Sequence, residues 1–268
     1  MKRNLVLFLL IGMTISSFSF LMMPMVLANN NSLAYVYDDD ITSAYSFRTL
    51  LNDNGYEVTL INGSIITSST FSGYRAIIIG SDTSGGGGTW LDGVSSKIAA
   101  INDSALPIIG LGAGGYSFFG MGAINLRIGY DWGSSNPSRT GIIVANDSHP
   151  IFSTPTDIPS GTINLYTIGN YVYFIFLNPP PAYVSALGSD TVNTNYYSLC
   201  AQEDRYFLWG FTASPDTMTQ IGKDLFINVI KYYAPLSSSI PSYNIILLLG
   251  VSTIVTSLLL IKKIKIKN

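Results

Sequence analysis

One stretch near the middle of the chain, Leu106-Pro-Ile-Ile-Gly-Leu-Gly-Ala-Gly-Gly-Tyr-Ser-Phe-Phe-Gly120, constrains the fold more than any other. Its apolar run, Leu106 to Ile109, stops in Gly110, Gly112, Gly114 and Gly115, and an aromatic segment able to start a helix follows at once. Apolar strand, glycine turn and helix start are the parts with which an open α/β sheet presents backbone N–H groups at its carboxyl edge. Glycine is needed there where φ turns positive or where other chain or a ligand approaches the backbone. We therefore expect a strand, an elbow and a helix, with Gly110, Gly112, Ala113, Gly114, Gly115 and Tyr116 as a ligand-binding cradle.

The preceding sequence agrees with this. Leu33–Tyr37 is a short strand closed by Asp38-Asp39-Asp40, and Ile41–Asn54 carries Ala44, Phe47, Leu50 and Leu51 at helical spacing before Gly55 stops it. Tyr56–Ile61 is a second strand, and Tyr74–Ile79 a third whose β-branched run predicts burial on both faces. A glycine loop, Gly85 to Gly88, leads to a helix from about Trp90 to Ile101. This alternation predicts an α/β fold with a mostly parallel sheet and right-handed crossovers. Between residues 121 and 210 the pattern changes to short β-like runs, including Gly141–Val144, Tyr171–Leu177, Tyr196–Leu199 and Tyr206–Trp209. These are expected to join the same sheet, partly antiparallel. Ser214-Pro215-Asp216 reads as the start of an amphipathic helix running to Tyr233, with Ile221, Leu225, Phe226, Val229, Ile230 and Tyr233 on its apolar side.

Composition matters for the two ends. Hydrophobic residues make up 47% of the chain and charged residues 11%, which points to membrane segments. Met1-Lys-Arg, the apolar run Leu5–Leu21 and Val26-Leu27-Ala28 have the form of a signal peptide, residues 1–28. Tyr243–Ile261 is uncharged and long enough to span about 30 Å of hydrocarbon. Four lysines in the tail, 262–268, place the C-terminus in the cytoplasm. The expected organisation is an outward-facing domain at 29–234, a serine-rich linker at 235–242 and a single membrane helix at 243–261. That domain holds 8 basic residues against all 16 acidic ones, a net charge near −8, which excludes nucleic acid as a partner. An outward position would also expose the sequons at Asn30, Asn62, Asn102 and Asn146 to glycosylation.

Chemistry-bearing residues are few. His149 is the only histidine and Cys200 the only cysteine, so no internal disulfide can form. A nucleophile–base pair would have to join those two, 51 positions apart; otherwise His149 is a loop residue bonded to backbone and Cys200 a buried strand residue. Asp38, Asp39 and Asp40, with Asp82 after the third strand, could hold a divalent metal at the carboxyl edge, or Asp40 could simply cap a helix. No other cofactor is expected. Gly110-x-Gly112-x-x-Gly115 matches a dinucleotide pattern, with Asp131 near the acidic position, but it follows the fourth strand rather than the first.

Three segments together carry a family resemblance. They are Gly55-Tyr-Glu-Val-Thr-Leu-Ile61, Pro107-Ile-Ile-Gly-Leu-Gly-Ala-Gly-Gly-Tyr116, and Arg205-Tyr-Phe-Leu-Trp-Gly-Phe211 followed by Gly222–Tyr232. In order and spacing they resemble the class I glutamine amidotransferase-like superfamily, and most nearly its ThuA-like and biotin-ligase-N-terminal-like branches. The resemblance implies a flavodoxin-like three-layer sandwich. It also implies a cysteine in an elbow like G-x-C-x-G and a histidine in an H-P-E-like motif after the last strand. Here the elbow reads Gly110-Leu-Gly112-Ala-Gly114 and the second place Gly210-Phe-Thr212-Ala-Ser214, so neither residue is matched. Acyl transfer by that route needs both partners. The sequence favours a non-catalytic surface module that binds a ligand, a glycan or another surface protein. A hydrolase using metal at Asp38–Asp40, or Cys200 with His149, is the alternative.

Overall fold

In a computed structural model of the protein, residues 31–84, 89–120, 123–129 and 132–236 are described. The expected signal peptide, membrane helix and basic tail, together with Asn30, Gly85–Gly88 and Asp131, lie outside the described residues. Among the described residues no helix is long and apolar enough to cross a membrane.

The elements run β1 (Ser32–Tyr37), α1 (Ile41–Asn52), β2 (Glu57–Asn62), β3 (Ala76–Ile79), α2 (Ser95–Asn102), β4 (Ile108–Leu111), α3 (Gly112–Phe119), β5 (Trp132–Arg139) and β6 (Gly141–Val144). They continue with β7 (Thr162–Asn164), β8 (Asn170–Phe176), β9 (Val184–Ser189), β10 (Tyr196–Gln202), β11 (Tyr206–Trp209) and α4 (Gln220–Tyr233). The sheet order is β2-β1-β3-β4-β11-β10-β9-β6-β7, with β8 paired to β10 and β5 to β8. The first five strands are parallel. They reproduce the 2-1-3-4-5 order of flavodoxin-like sheets. The segment between β4 and β11 supplies the antiparallel extension.

Strand alternation sends side chains to two cores. On one face Leu33 and Tyr35 of β1 pack with Phe47 and Leu51 of α1 and Leu225, Phe226 and Val229 of α4. On the other, Ala34 and Val36 pack with Ile98 and Ile101 of α2 and Phe118 and Phe119 of α3. Ile77, Ile78 and Ile79 are fully buried, as their β-branched run predicts. The sheet is therefore the middle of three layers.

Two boundaries differ from the sequence reading. The last helix begins later than Asp216, because Thr219 is its cap and accepts from Gly222 N at 3.0 Å; Ser214-Pro215 instead opens a 3₁₀ turn, Pro215–Thr217. The strand β5 is not expected from Trp132-Gly-Ser-Ser-Asn-Pro-Ser-Arg139. It pairs with β8 in register over Trp132–Ser135 and breaks register before Arg139, and its Gly-, Ser- and Pro-rich sequence carries no apolar alternation to mark a strand.

Because β6, β9, β10 and β11 alternate in direction, the C-terminal end of β6 lies at the amino edge of the parallel strands. The domain's first and last residues are there too. Asn31 Nδ2 donates to Gly55 O at 3.3 Å, and Tyr56 OH to Ala234 O at 2.7 Å. The first and last described residues of the domain thus lie at the end opposite the glycine elbow.

Candidate functional site

Four strand ends converge at the carboxyl edge: Asp38–Asp40 after β1, Gly80–Asp82 after β3, Gly112 after β4, and Gly210–Thr212 after β11. The chain leaves β4 through Gly112, whose φ is +45°, and enters α3 immediately. A Cβ at Gly112 would stand 2.7 Å from Thr212 Cγ2 and 3.0 Å from Thr212 Cα, and would collide with Ser81 Oγ. The space into which a side chain at this elbow would project is therefore filled.

The other glycines serve packing. A Cβ at Gly110 would lie 2.5 Å from Gly115 Cα, and one at Gly115 would fall on the Gly110 backbone. One at Gly114 would fall on the Gly80 carbonyl and the Thr83 hydroxyl. Helix α3 thus sits directly against β4 and the β3 loop, and all four elbow glycines are buried. Of the six residues expected to form a cradle, only Ala113 and Tyr116 are partly exposed.

Thr212 is held over the elbow by β8. Tyr173 N donates to Gly210 O at 2.8 Å, and Thr212 N and Oγ1 both donate to Tyr171 O, at 3.2 and 3.0 Å. Ala213 N donates to Asn170 Oδ1 at 2.7 Å. Residues 170–173 thereby pair with 210–213, and the Tyr173 ring reaches Tyr116 at 5.7 Å between centroids. Burial, and then the neighbouring Tyr171, push the Tyr173 phenol up, so it stays protonated. Asn170 Nδ2 and Ser198 Oγ are buried beneath this segment with no hydrogen-bond partner among the described residues. The Thr212 hydroxyl donates its proton to a backbone carbonyl rather than to a side-chain base.

The aspartates are occupied as caps. Asp82 Oδ2 accepts from Asp38 N and Asp40 N, each at 2.8 Å, crossing the gap between the ends of β1 and β3. Asp40 caps α1, accepting from Ser43 N at 3.0 Å and Ser43 Oγ at 2.6 Å. Partial burial, and then the charges of Asp39, Asp82 and Asp92, hold the Asp38 carboxyl above its usual range. Among the described residues no group of three or more His, Cys, Asp or Glu side chains is placed to hold a metal ion.

His149 and Cys200 are not brought together. His149 packs on Tyr232 of α4 at 5.1 Å and accepts from Ile151 N at 3.4 Å, capping the turn Pro150–Phe152. Cys200 is fully buried in the core on the opposite face, where burial pushes its thiol well up. A thiol in that state is a packing group rather than a nucleophile. Among the described sequons, Asn146 is exposed, whereas Asn62 and Asn102 are partly buried.

Sequence reasoning singles out Gly112 and the segment Gly210–Ser214, but it cannot see that a side chain at Gly112 would meet Thr212. It misses Ser81 and the β8 segment altogether, and no local motif marks either of them.

No protein-family model matches the sequence, and no curated protein matches it. Solved structures do. A GMP synthase component from Thermoplasma acidophilum superposes with a TM-score of 0.52 at 19% identity, covering 80% of this chain and 96% of that one. PurLQS of Thermotoga maritima gives 0.49 at 17% identity, covering 75% and 98%. The glutaminase domain of Trypanosoma brucei CTPS gives 0.44 at 10%, covering 78% and 98%. Only the first superposes closely enough to speak for the fold. With the strand order above, it shows that this chain has a flavodoxin-like α/β fold shared with that protein.

Proposed function

We propose that the chain is a membrane-anchored, extracytoplasmic domain of amidotransferase architecture that binds a ligand or a surface partner and performs no acyl transfer. One observation carries the reading. The two strand ends where that chemistry would place cysteine and histidine bear Gly112 and Thr212, in contact, with Ser81 filling the remaining space. Thr212 gives its hydroxyl proton to the Tyr171 carbonyl rather than to a general base, and backbone amides at the elbow stabilise nothing without a nucleophile. The signal-peptide and stop-transfer patterns at residues 1–28 and 243–268 support the outward topology, and the domain's charge near −8 argues against nucleic acid.

With the glycines buried, Ala113, Tyr116, Tyr171, Tyr173 and Thr212 are accessible at the edge, beside Asp38–Asp40 and Asp82. Paired tyrosine rings beside hydroxyls suit a glycan or a protein surface, because each ring offers an apolar face and a polar tip. The full chain, in detergent, is to be applied to an array of envelope saccharides and envelope proteins. Binding that falls at least about tenfold in Tyr116→Ala or Tyr173→Ala, with an unchanged unfolding temperature, supports the reading. Binding indifferent to both substitutions moves the site elsewhere.

A further inference from the structure

The sequence offers its sequons as equals, but the fold separates them. Asn62 closes β2, where its backbone pairs with Tyr37. Its Nδ2 donates to Asp38 O at 2.9 Å, and its Oδ1 accepts from Ser64 N at 2.9 Å and from the sequon hydroxyl, Ser64 Oγ, at 2.5 Å. Asn102 closes α2. Its Oδ1 accepts from Tyr206 OH at 2.9 Å, its carbonyl accepts from the Arg205 guanidinium, and Ser104 Oγ turns back to Ile101 O at 2.6 Å. In each case the asparagine is held within the carboxyl-edge or amino-edge framework of the sheet.

Asn146 is different. It follows β6 in a loop whose residues 145–148 are all exposed. Its Oδ1 accepts only from Ser148 Oγ, at 2.7 Å, and its Nδ2 has no partner among the described residues. The backbone is tied by Ala145 N to Leu187 O at 2.9 Å and by one short turn, His149 N to Asn146 O at 3.3 Å, while the N–H groups of Asn146, Asp147 and Ser148 donate to no backbone carbonyl among the described residues. Exposed loop segments with so few backbone ties are the ones an enzyme can lift into an extended groove. The loop stands at the amino edge, away from Gly112 and the tyrosines, so an attached sugar leaves the proposed binding edge clear.

We infer that, among the described sequons, Asn146 is the glycan acceptor and Asn62 and Asn102 are not. In the reaction, Asn146 Nδ2 forms a bond to C1 of a sugar carried on a lipid phosphate. The C1–O bond to that phosphate breaks, the lipid phosphate leaves with the electron pair, and the amide proton passes to a base of the transferase. The assignment rests on the outward topology for its occurrence in a cell, but not for its geometry.

The test is to treat the purified, folded full chain with an oligosaccharyltransferase that accepts N-x-S/T and a lipid-linked oligosaccharide, and to map glycans by peptide mass spectrometry. Occupancy at Asn146 at least about tenfold above that at Asn62 and Asn102, abolished by Asn146→Gln and by Ser148→Ala, is expected. Equal occupancy at Asn62 or Asn102 overturns the inference. So does an unmodified Asn146 in the folded chain when a free peptide spanning residues 143–151 is modified. Protein taken from cell membranes separates the two claims: a bare Asn146 there, alongside modification in vitro, sinks the outward topology while upholding the site.

Discussion

Placing a methyl group on Gly112 tests the filled elbow directly. Gly112 has φ +45°, and a new Cβ would stand 2.7 Å from Thr212 Cγ2 and against Ser81 Oγ. The left-handed backbone alone costs a residue with a side chain about 1–2 kcal/mol. Overfilling a packed site adds about 1–3 kcal/mol, since Thr212 is pinned to Tyr171 O through both its N–H and its hydroxyl. A central value for Gly112→Ala is about 3 kcal/mol, or about 6–12 °C in unfolding temperature for a domain of this size. Thermal unfolding followed by circular dichroism measures it. The double variant Gly112→Ala/Ser81→Ala removes one of the collisions and should recover on the order of 1 kcal/mol beyond additivity. A single variant melting within about 1 °C of the parent would refute the packing argument and would reopen the elbow as a usable crevice.

Other expectations follow from the same geometry. Asn228 is fully buried and makes three bonds across to the loop after β6: Nδ2 to Ile151 O at 2.8 Å and to Thr156 O at 2.7 Å, and Oδ1 from Thr156 N at 3.2 Å. Asn228→Ala should therefore destabilise the domain by about 2–4 kcal/mol in denaturant titration. Burial holds the His149 imidazole below its ordinary value of about 6.5, so the unfolded chain takes up that proton first. Its share of stability is intact above that value and is lost as pH falls through the lower folded value. The gap in melting temperature between the parent and His149→Asn, which keeps a capping acceptor, should accordingly shift against the parent between pH 7 and pH 5. Because Asp82 and Asp40 are spent on backbone N–H groups, millimolar Mg²⁺ or Ca²⁺ should leave the melting temperature unchanged. A rise of several degrees would instead show a metal bound to the native state.

The parallel half of the fold was legible because its signals are local. Ile77–Ile79 announces a strand buried on both faces, Asn54-Gly55 ends a helix, and Gly110–Gly115 marks the elbow. Gly112 and the segment Gly210–Ser214 could be located at strand ends for the same reason, each following a recognisable strand. What could not be read depends on contacts between distant segments. Ser81 looks like any loop serine until α3 packs against the β3 turn through Gly114 and Gly80. Residues 170–173 look like one more β run, and only the return of β8 across the end of β11 makes them a brace over Thr212. The glycines also misled in part. Their spacing suits a ligand cradle and close helix–sheet packing equally well, and the structure uses Gly110, Gly114 and Gly115 for packing. Asn228 was hidden within a helical repeat, because nothing local says that a polar residue on a buried face will find three partners in a loop over 70 positions earlier.

The central proposal is that this domain performs no acyl transfer. Ammonia release from glutamine by the purified full chain tests it most directly, with Thr212→Ala measured in parallel. The account predicts no release above the protein-free rate for either protein. Release that saturates with glutamine and falls in Thr212→Ala would show that the edge still catalyses, and would contradict it.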